Sequence, residues 1–200
     1  MPSLISFDEA THTYTDQHGR AVPSVTQALA VLDSYRGIPA HVLEKAAQRG
    51  TAVHKAVELH LQGDLDELSM DPDVADYFYA YWKFERETGY RPEHSELRVF
   101  STKFRYAGTL DLAGPDPVSK RGEAIIDIKT SRELMPSVGP QLAAYEKAYR
   151  ESLGVNPKKK LKRYGLLLKS DGTYELKPYD GTADFSLFLA CLTVCNYQEK

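Results

Sequence analysis

Apolar residues set the organisation of the chain before composition adds anything. From Ala40 to Leu61 they recur at helical spacing: Val42, Leu43, Ala46, Val53, Val57 and Leu61. That period predicts a long helix, with Gly50 as an interruption unless the backbone there must approach something closely. Asp71-Pro72 opens a second helix that runs to about Thr88 and ends at Gly89-Tyr90-Arg91-Pro92. The period then shortens, and Ser95 to Ser101, Phe104 to Leu112 and Ala124 to Thr130 read as three strands. Gly114-Pro115-Asp116-Pro117 and Lys120-Arg121-Gly122 punctuate the connection between the last two. Pro140 to Leu153 returns to helix, Leu161 to Lys169 and Thr173 to Pro178 are two more strands, and Asp180 to Tyr197 is a final amphipathic helix. Before all of these, residues 6–25 alternate weakly about a turn at Gln17-His18-Gly19, which predicts a small hairpin. Ser24 is then the N-cap of a short helix from Val25 to Leu32. This order predicts an α/β fold with a mixed sheet flanked by helices.

Composition narrows the class only a little. The chain has 200 residues, 42% hydrophobic and 26% charged, which is ordinary globular composition for one domain. No apolar run is long enough to span a bilayer, and MPSLISFDEATHTY has no basic start followed by an apolar stretch, so no membrane partner and a cytoplasmic location are expected. Net charge is −3, which weighs against a nucleic-acid binder. Against that stand a basic cluster, Lys158, Lys159, Lys160, Lys162 and Arg163, and the fact that acidic metal sites lower net charge without repelling a substrate once loaded. Cys191 and Cys195, four apart in an apolar segment, read as buried thiols. Two cysteines cannot hold an iron–sulfur cluster, which needs four thiolates. The aromatic run Tyr77, Phe78, Tyr79, Tyr81, Trp82 and Phe84 is a candidate stacking platform for bases, but helical spacing favours core with a few exposed rings.

The chemistry concentrates in Ile125-Ile126-Asp127-Ile128-Lys129-Thr130. Residues two apart on a strand share a face, so Asp127 and Lys129 project together while Ile126 and Ile128 enter the core. Alone, this is as easily an ion pair on a half-exposed strand. Gly108-Thr109-Leu110-Asp111 on the preceding strand changes the balance, because a hairpin can set Asp111 beside Asp127. Two such carboxylates repel unless a cation joins them, and hard oxygen donors suit Mg²⁺ or Mn²⁺. Lys129 would then orient or deprotonate a water, or neutralise charge developing on a phosphate. His54 and Glu58 share a helix face, as do Gln141 and Tyr145. Each pair has a plain surface reading. His54, Glu58 and His60 raise zinc, which the lack of a His-Glu-x-x-His motif and the two hard strand carboxylates count against.

Taken in order, Gly50-Thr51-x-x-His54, Gly108-Thr109-x-Asp111, Asp127-Ile128-Lys129-Thr130 and Gln141-x-x-x-Tyr145 resemble the RecB-like branch of the PD-(D/E)xK nuclease superfamily. Phe7, His12-Thr13-Tyr14 and Val22-Pro23-Ser24-Val25-Thr26 are similar to the entry segment of mitochondrial genome maintenance exonucleases and their phage relatives. The resemblance implies an αβββαβ core with additions: residues 39–200 as catalytic core and 1–38 as a hairpin and helix extension of the same domain. It implies Asp111, Asp127, the Ile128 carbonyl and His54 as metal ligands, Lys129 as catalytic lysine, and Glu96 as a lesser candidate for orienting a metal water. Gln141 and Tyr145, with Thr130, Ser131, Thr51 and Arg49, would contact DNA. The implied activity is a Mg²⁺- or Mn²⁺-dependent DNA exonuclease in recombination, repair or end processing, encoded by a phage or prophage. The same features fit a structure-specific endonuclease or a non-cleaving DNA-binding module. There is no four-cysteine cluster and no Walker loop, so a recombination, annealing or helicase partner would be a separate protein.

Overall fold

The computed structural model describes residues 5–9, 11–33, 37–156 and 159–198. Its centre is a five-stranded mixed sheet of β4 (His94–Ser101), β5 (Tyr106–Pro115), β6 (Glu123–Lys129), β7 (Leu161–Leu168) and β8 (Tyr174–Pro178), in that spatial order. All neighbours are antiparallel except β6 and β7, which are parallel. Parallel neighbours need a long crossover, and α4 (Val138–Leu153) supplies it.

Helices cover both faces. On one, α4, α5 (Asp184–Gln198) and α1 (Val25–Leu29) bury Val99, Tyr106, Leu110 and Ile125. On the other, α2 (Ala40–Gln62) and α3 (Pro72–Thr88) bury Leu112, Ile126, Ile128 and Leu166. The expected mixed sheet between helices is thus present. The aromatic run of α3 divides as its spacing predicts: Phe78, Tyr81 and Phe84 are buried, while Tyr79 and Trp82 are exposed. Cys191 is buried and Cys195 half-buried.

The first segment is richer than a hairpin. β1 (Ile5–Asp8), β2 (Thr13–Asp16) and the two-residue β3 (Ala21–Val22) form a three-stranded antiparallel meander. Asp16 organises its second turn, accepting from the amides of His18 at 2.9 Å and Arg20 at 3.0 Å. The meander docks on the main sheet through Ile5, Tyr14 and Val22 against Phe100 and Ala107. Ser24 caps α1 as predicted, in a reciprocal box with Gln27 at 3.0 and 2.8 Å, but the helix stops at Leu29. A short 3₁₀ turn at Glu67–Ser69 has no periodic signal to announce it. β5 runs on through Pro115, where the glycine-proline pair predicts loop, because its pairing with Glu123 continues to that point.

One irregularity positions the site. Leu110 and Leu112 should share a face, yet they enter opposite cores. The β4–β5 ladder pairs Leu97 with Leu110 and Ser95 with Leu112, and skips Glu96 and Asp111 between them. Glu96 has φ +47°, a left-handed conformation that costs a non-glycine residue roughly 1–3 kcal/mol. The β5–β6 ladder ends at Leu112 and Ile126, one residue short of Asp111 and Asp127.

Candidate active site

Where the two ladders open, side chains replace backbone pairing. Asp111, on β5, accepts the Ile128 amide at 2.6 Å through Oδ2, so a β6 donor that has lost its strand partner is not orphaned. His54, from the middle of α2, reaches the same opening. Its Nε2 donates to the Ile128 carbonyl at 3.2 Å, and Nδ1 lies 3.5 Å from Glu96 and 3.6 Å from Asp111. The donor atoms of His54, Glu96 and Asp111 all fall within 4.8 Å of one another, a grouping able to hold a metal ion.

Asp127 is 1% exposed and stands outside that group. Its Oδ2 contacts the Lys129 ammonium at 2.7 Å, and its Oδ1 has no hydrogen-bond partner among the described residues. A buried carboxylate oxygen without a donor is costly unless a cation or water meets it. The residues therefore fit a divalent cation: the His54, Glu96 and Asp111 donors are grouped where the ladders open, and the unsatisfied Asp127 oxygen stands on the adjacent strand.

The electrostatics agree. Burial raises Asp127 above the usual carboxylate range, with the Asp111 charge adding to it against the pull of Lys129. Burial likewise raises Asp111, although His54 opposes the shift. For His54 burial disfavours the charged form, but Asp111 and Glu96 outweigh it and lift the imidazole to about 9. For Lys129 burial also works against the charge, and Asp127 and Asp111 hold it above its ordinary value. Two cationic side chains thus stand among three carboxylates.

α4 closes the site from above. Tyr106 donates to the Ala144 carbonyl at 2.8 Å and pins the helix to β5. Tyr145 is buried, accepts from the Gln141 amide at 3.3 Å, and is raised by burial and by the Asp127 and Asp111 charges. It packs against Gly108 so closely that a Cβ there would meet its ring at 2.6 Å. Glycine at that position is what lets the phenol lie over the acidic opening.

The remaining predicted residues are dispersed around this centre. Arg49 donates to the Thr130 carbonyl at 3.3 Å and lies 4.9 Å over the Tyr77 ring. Thr130 is buried, with its hydroxyl 3.5 Å from where a Gly50 Cβ would stand. That is ordinary contact, so close approach does not demand glycine there. Thr51 is exposed and bonds the Ala47 carbonyl at 3.1 Å, and Ser131 donates to the Glu133 carbonyl at 2.6 Å. Glu58 pairs with Lys55 at 2.8 Å, and His60 with Glu85 at 3.0 Å, so neither joins His54.

Two sequence readings change. Glu96 is only a lesser candidate in the sequence, yet its strained backbone turns it onto His54, and no local pattern signals that. The basic cluster is divided: Arg163 is buried and spends its charge on Glu146 at 3.5 Å and Asp184 at 3.3 Å, Lys159 pairs with Glu123, and Lys160 and Lys162 are exposed. Lys158 lies outside the described residues.

No family model matches the chain, and no curated protein matches it in sequence. Its fold is shared with the crystal structure of a protein from Eubacterium rectale that is provisionally named an exonuclease, at a TM-score of 0.57 and 14% identity over 88% of this chain and 79% of that one. At that identity the likeness speaks to the fold alone.

Proposed function

We propose that this protein is a divalent-metal-dependent deoxyribonuclease of the PD-(D/E)xK type, RecB-like branch, acting as an exonuclease in recombination, repair or end processing. The observation that carries the reading is the buried Asp127 carboxylate, with one oxygen unpartnered, beside Asp111 at the point where β5 and β6 separate. The fold shared with a provisionally named exonuclease supports it.

In this reading Asp111, Asp127, the Ile128 carbonyl and His54 would hold Mg²⁺ or Mn²⁺, with Glu96, grouped with His54 and Asp111, as a further donor. When bound, such an ion would supply an activated water and charge neutralisation at a scissile phosphate. Lys129 keeps its proton, because both neighbouring acids stabilise the ammonium. That favours stabilisation of charge on the phosphate over removal of a proton from water. Asp127 orients Lys129 through the 2.7 Å contact. Tyr145, held neutral, and Gln141 offer an O–H and an amide to the strand being cut. In the same reading Thr130, Ser131, Thr51 and Arg49 are further DNA contacts.

The test is digestion of DNA by wild type and by Lys129→Ala, with Mg²⁺ and with EDTA. Loss of cutting with either change is expected, and undiminished cutting by the variant would remove the mechanism. Circular single-stranded DNA separates exonuclease from endonuclease, since only the latter should open it.

A further inference from the structure

An open groove of about 240 Å³ lies at the β7–β8 edge of the sheet, and Leu167, the register partner of Lys129, is in its lining. Its floor is fixed by register. Lys129 pairs with Leu167 across the parallel β6–β7 ladder, and Leu167 pairs with Glu175 on β8. The neighbouring row is Asp127, Gly165 and Lys177. Cross-strand partners share a face, so both rows lie on the side that carries the acidic opening. Over Gly165 the space is filled: a Cβ there would meet Tyr179 at 3.1 Å and Leu134 at 3.3 Å. The row that connects the groove lining to the acidic opening is therefore Lys129–Leu167.

The charge of this groove differs from that of the chain. Arg132, Lys169 and Lys177 line it, against Glu133 and Glu175. Glu175 is 3.9 Å from Lys169, a loose pair. Arg132 makes no ion pair with a described residue, and Lys177 rests 5.4 Å over the Tyr179 ring. Two exposed cations are left uncommitted, two strand spacings or about 10 Å from Asp127 in the case of Lys177. The volume suits a phosphate and its sugar, and is smaller than pockets that enclose whole small molecules, which start at roughly 300 Å³. Exposed, uncommitted guanidinium and ammonium groups are what a phosphate recognises.

We propose that the groove between Arg132 and Lys177 is a second phosphate subsite, holding a phosphate of the same nucleic-acid strand whose scissile phosphate lies at Asp127 and Lys129. The subsite rests on the nuclease reading and adds the path by which the strand leaves the site. It also gives a chain of net charge −3 a local cationic contact for DNA.

The experiment compares wild type, Arg132→Ala/Lys177→Ala, the charge-preserving Arg132→Lys/Lys177→Arg, and Lys162→Ala at the far end of β7. Fluorescent single-stranded oligonucleotides bearing a 5′-phosphate, a 3′-phosphate or neither are titrated with Ca²⁺ present, and cutting is then followed with Mg²⁺ over a range of salt. The double alanine variant should bind about tenfold or more weakly and raise KM more than it lowers kcat. Its salt dependence should flatten by about 0.7 for each phosphate no longer neutralised. The charge-preserving variant should recover most of the binding, and Lys162→Ala should match wild type. A penalty confined to one phosphorylated end identifies a terminal phosphate, and an equal penalty on all three identifies an internal one. Binding, KM and salt slope unchanged in the double alanine variant would overturn the subsite while leaving the nuclease intact. Wild type that binds but does not cut fails the nuclease reading and leaves the subsite to be judged on the binding series. Wild type that neither binds nor cuts defeats both.

Discussion

The carboxylate of Asp111 takes the place of a backbone partner for Ile128: it accepts that residue's amide at 2.6 Å where the β5–β6 ladder has ended. The same side chain faces His54 at 3.6 Å. One residue thus closes a gap in the sheet and opens a cation site, and its substitutions should show both roles. Asp111→Ala leaves a buried amide unpaired and should destabilise the fold by about 1–3 kcal/mol, measured by urea unfolding in EDTA. Asp111→Asn keeps an acceptor oxygen and should lose much less, while cutting fails in both.

Asp127 should behave in the opposite way. Its buried carboxylate has an oxygen with no hydrogen-bond partner among the described residues. Asp127→Asn removes a charge that burial disfavours while its amide oxygen can still accept from Lys129, and it should leave metal-free stability unchanged or raised by about 1–2 kcal/mol while abolishing cleavage. Unfolding curves in EDTA read the first effect and DNA digestion the second. A marked loss of stability in this variant would mean that the carboxylate is already satisfied without a metal.

Metal binding should depend on pH in a defined direction. Asp127 and Asp111 are raised by burial, and His54 is lifted to about 9 by the acids around it. A cation must displace those protons, so its affinity is weak in acid and strengthens as pH rises. Each proton displaced contributes about tenfold in affinity per pH unit while its group is protonated. Mn²⁺ titrations followed by thermal unfolding at pH 6 and pH 8 measure this. Wild type should gain about 2.7 kcal/mol at a hundredfold excess over Kd, and Asp127→Asn should gain almost nothing.

How far the sequence foretold this site depends on the scale of the signal. Strand alternation at 125–129 shows which side chains face together, and the element order predicts the mixed sheet correctly. Ser24 announces its cap, because it stands directly before the helix it caps, while its reciprocal bond with Gln27 is seen in the structure. What could not be read was any feature that exists only between elements. The ladder break that strains Glu96, the position of Asp127 outside the His54 group, and the burial of Arg163 against Asp184 all arise where distant segments meet. A run of basic residues gives no hint that its last member is a core ion pair.

Gly108 should be intolerant of even one methyl group. A Cβ there would meet Tyr145 Cε1 at 2.6 Å and Val25 Cγ2 at 3.3 Å. Gly108→Ala should cost roughly 1–3 kcal/mol and displace the phenol from the acidic opening, lowering cleavage. Gly108→Ala combined with Tyr145→Val should regain stability but not activity, which chemical denaturation and digestion assays separate.

The N-terminal meander carries an acid-sensitive link. Burial works against the charged form of Asp16, but amides of Arg20 and His18 and the guanidinium groups of Arg20 and Arg105 outweigh it, holding the carboxyl well below its usual range. A lowered folded pKa adds stability that is complete above the unfolded value of about 3.9 and is lost as pH falls below it. Thermal unfolding from pH 7 to pH 3 should therefore show a steeper acid loss in wild type than in Asp16→Asn, which starts lower and falls less.

The most direct measurement is anomalous diffraction from crystals grown with Mn²⁺. A single strong peak among the Asp111 and Asp127 carboxylates and the Ile128 carbonyl, absent in Asp127→Asn, is the result predicted. No peak at millimolar Mn²⁺, or a peak that leaves Asp127 on Lys129 alone, would contradict the assignment of these residues as a metal-dependent catalytic centre.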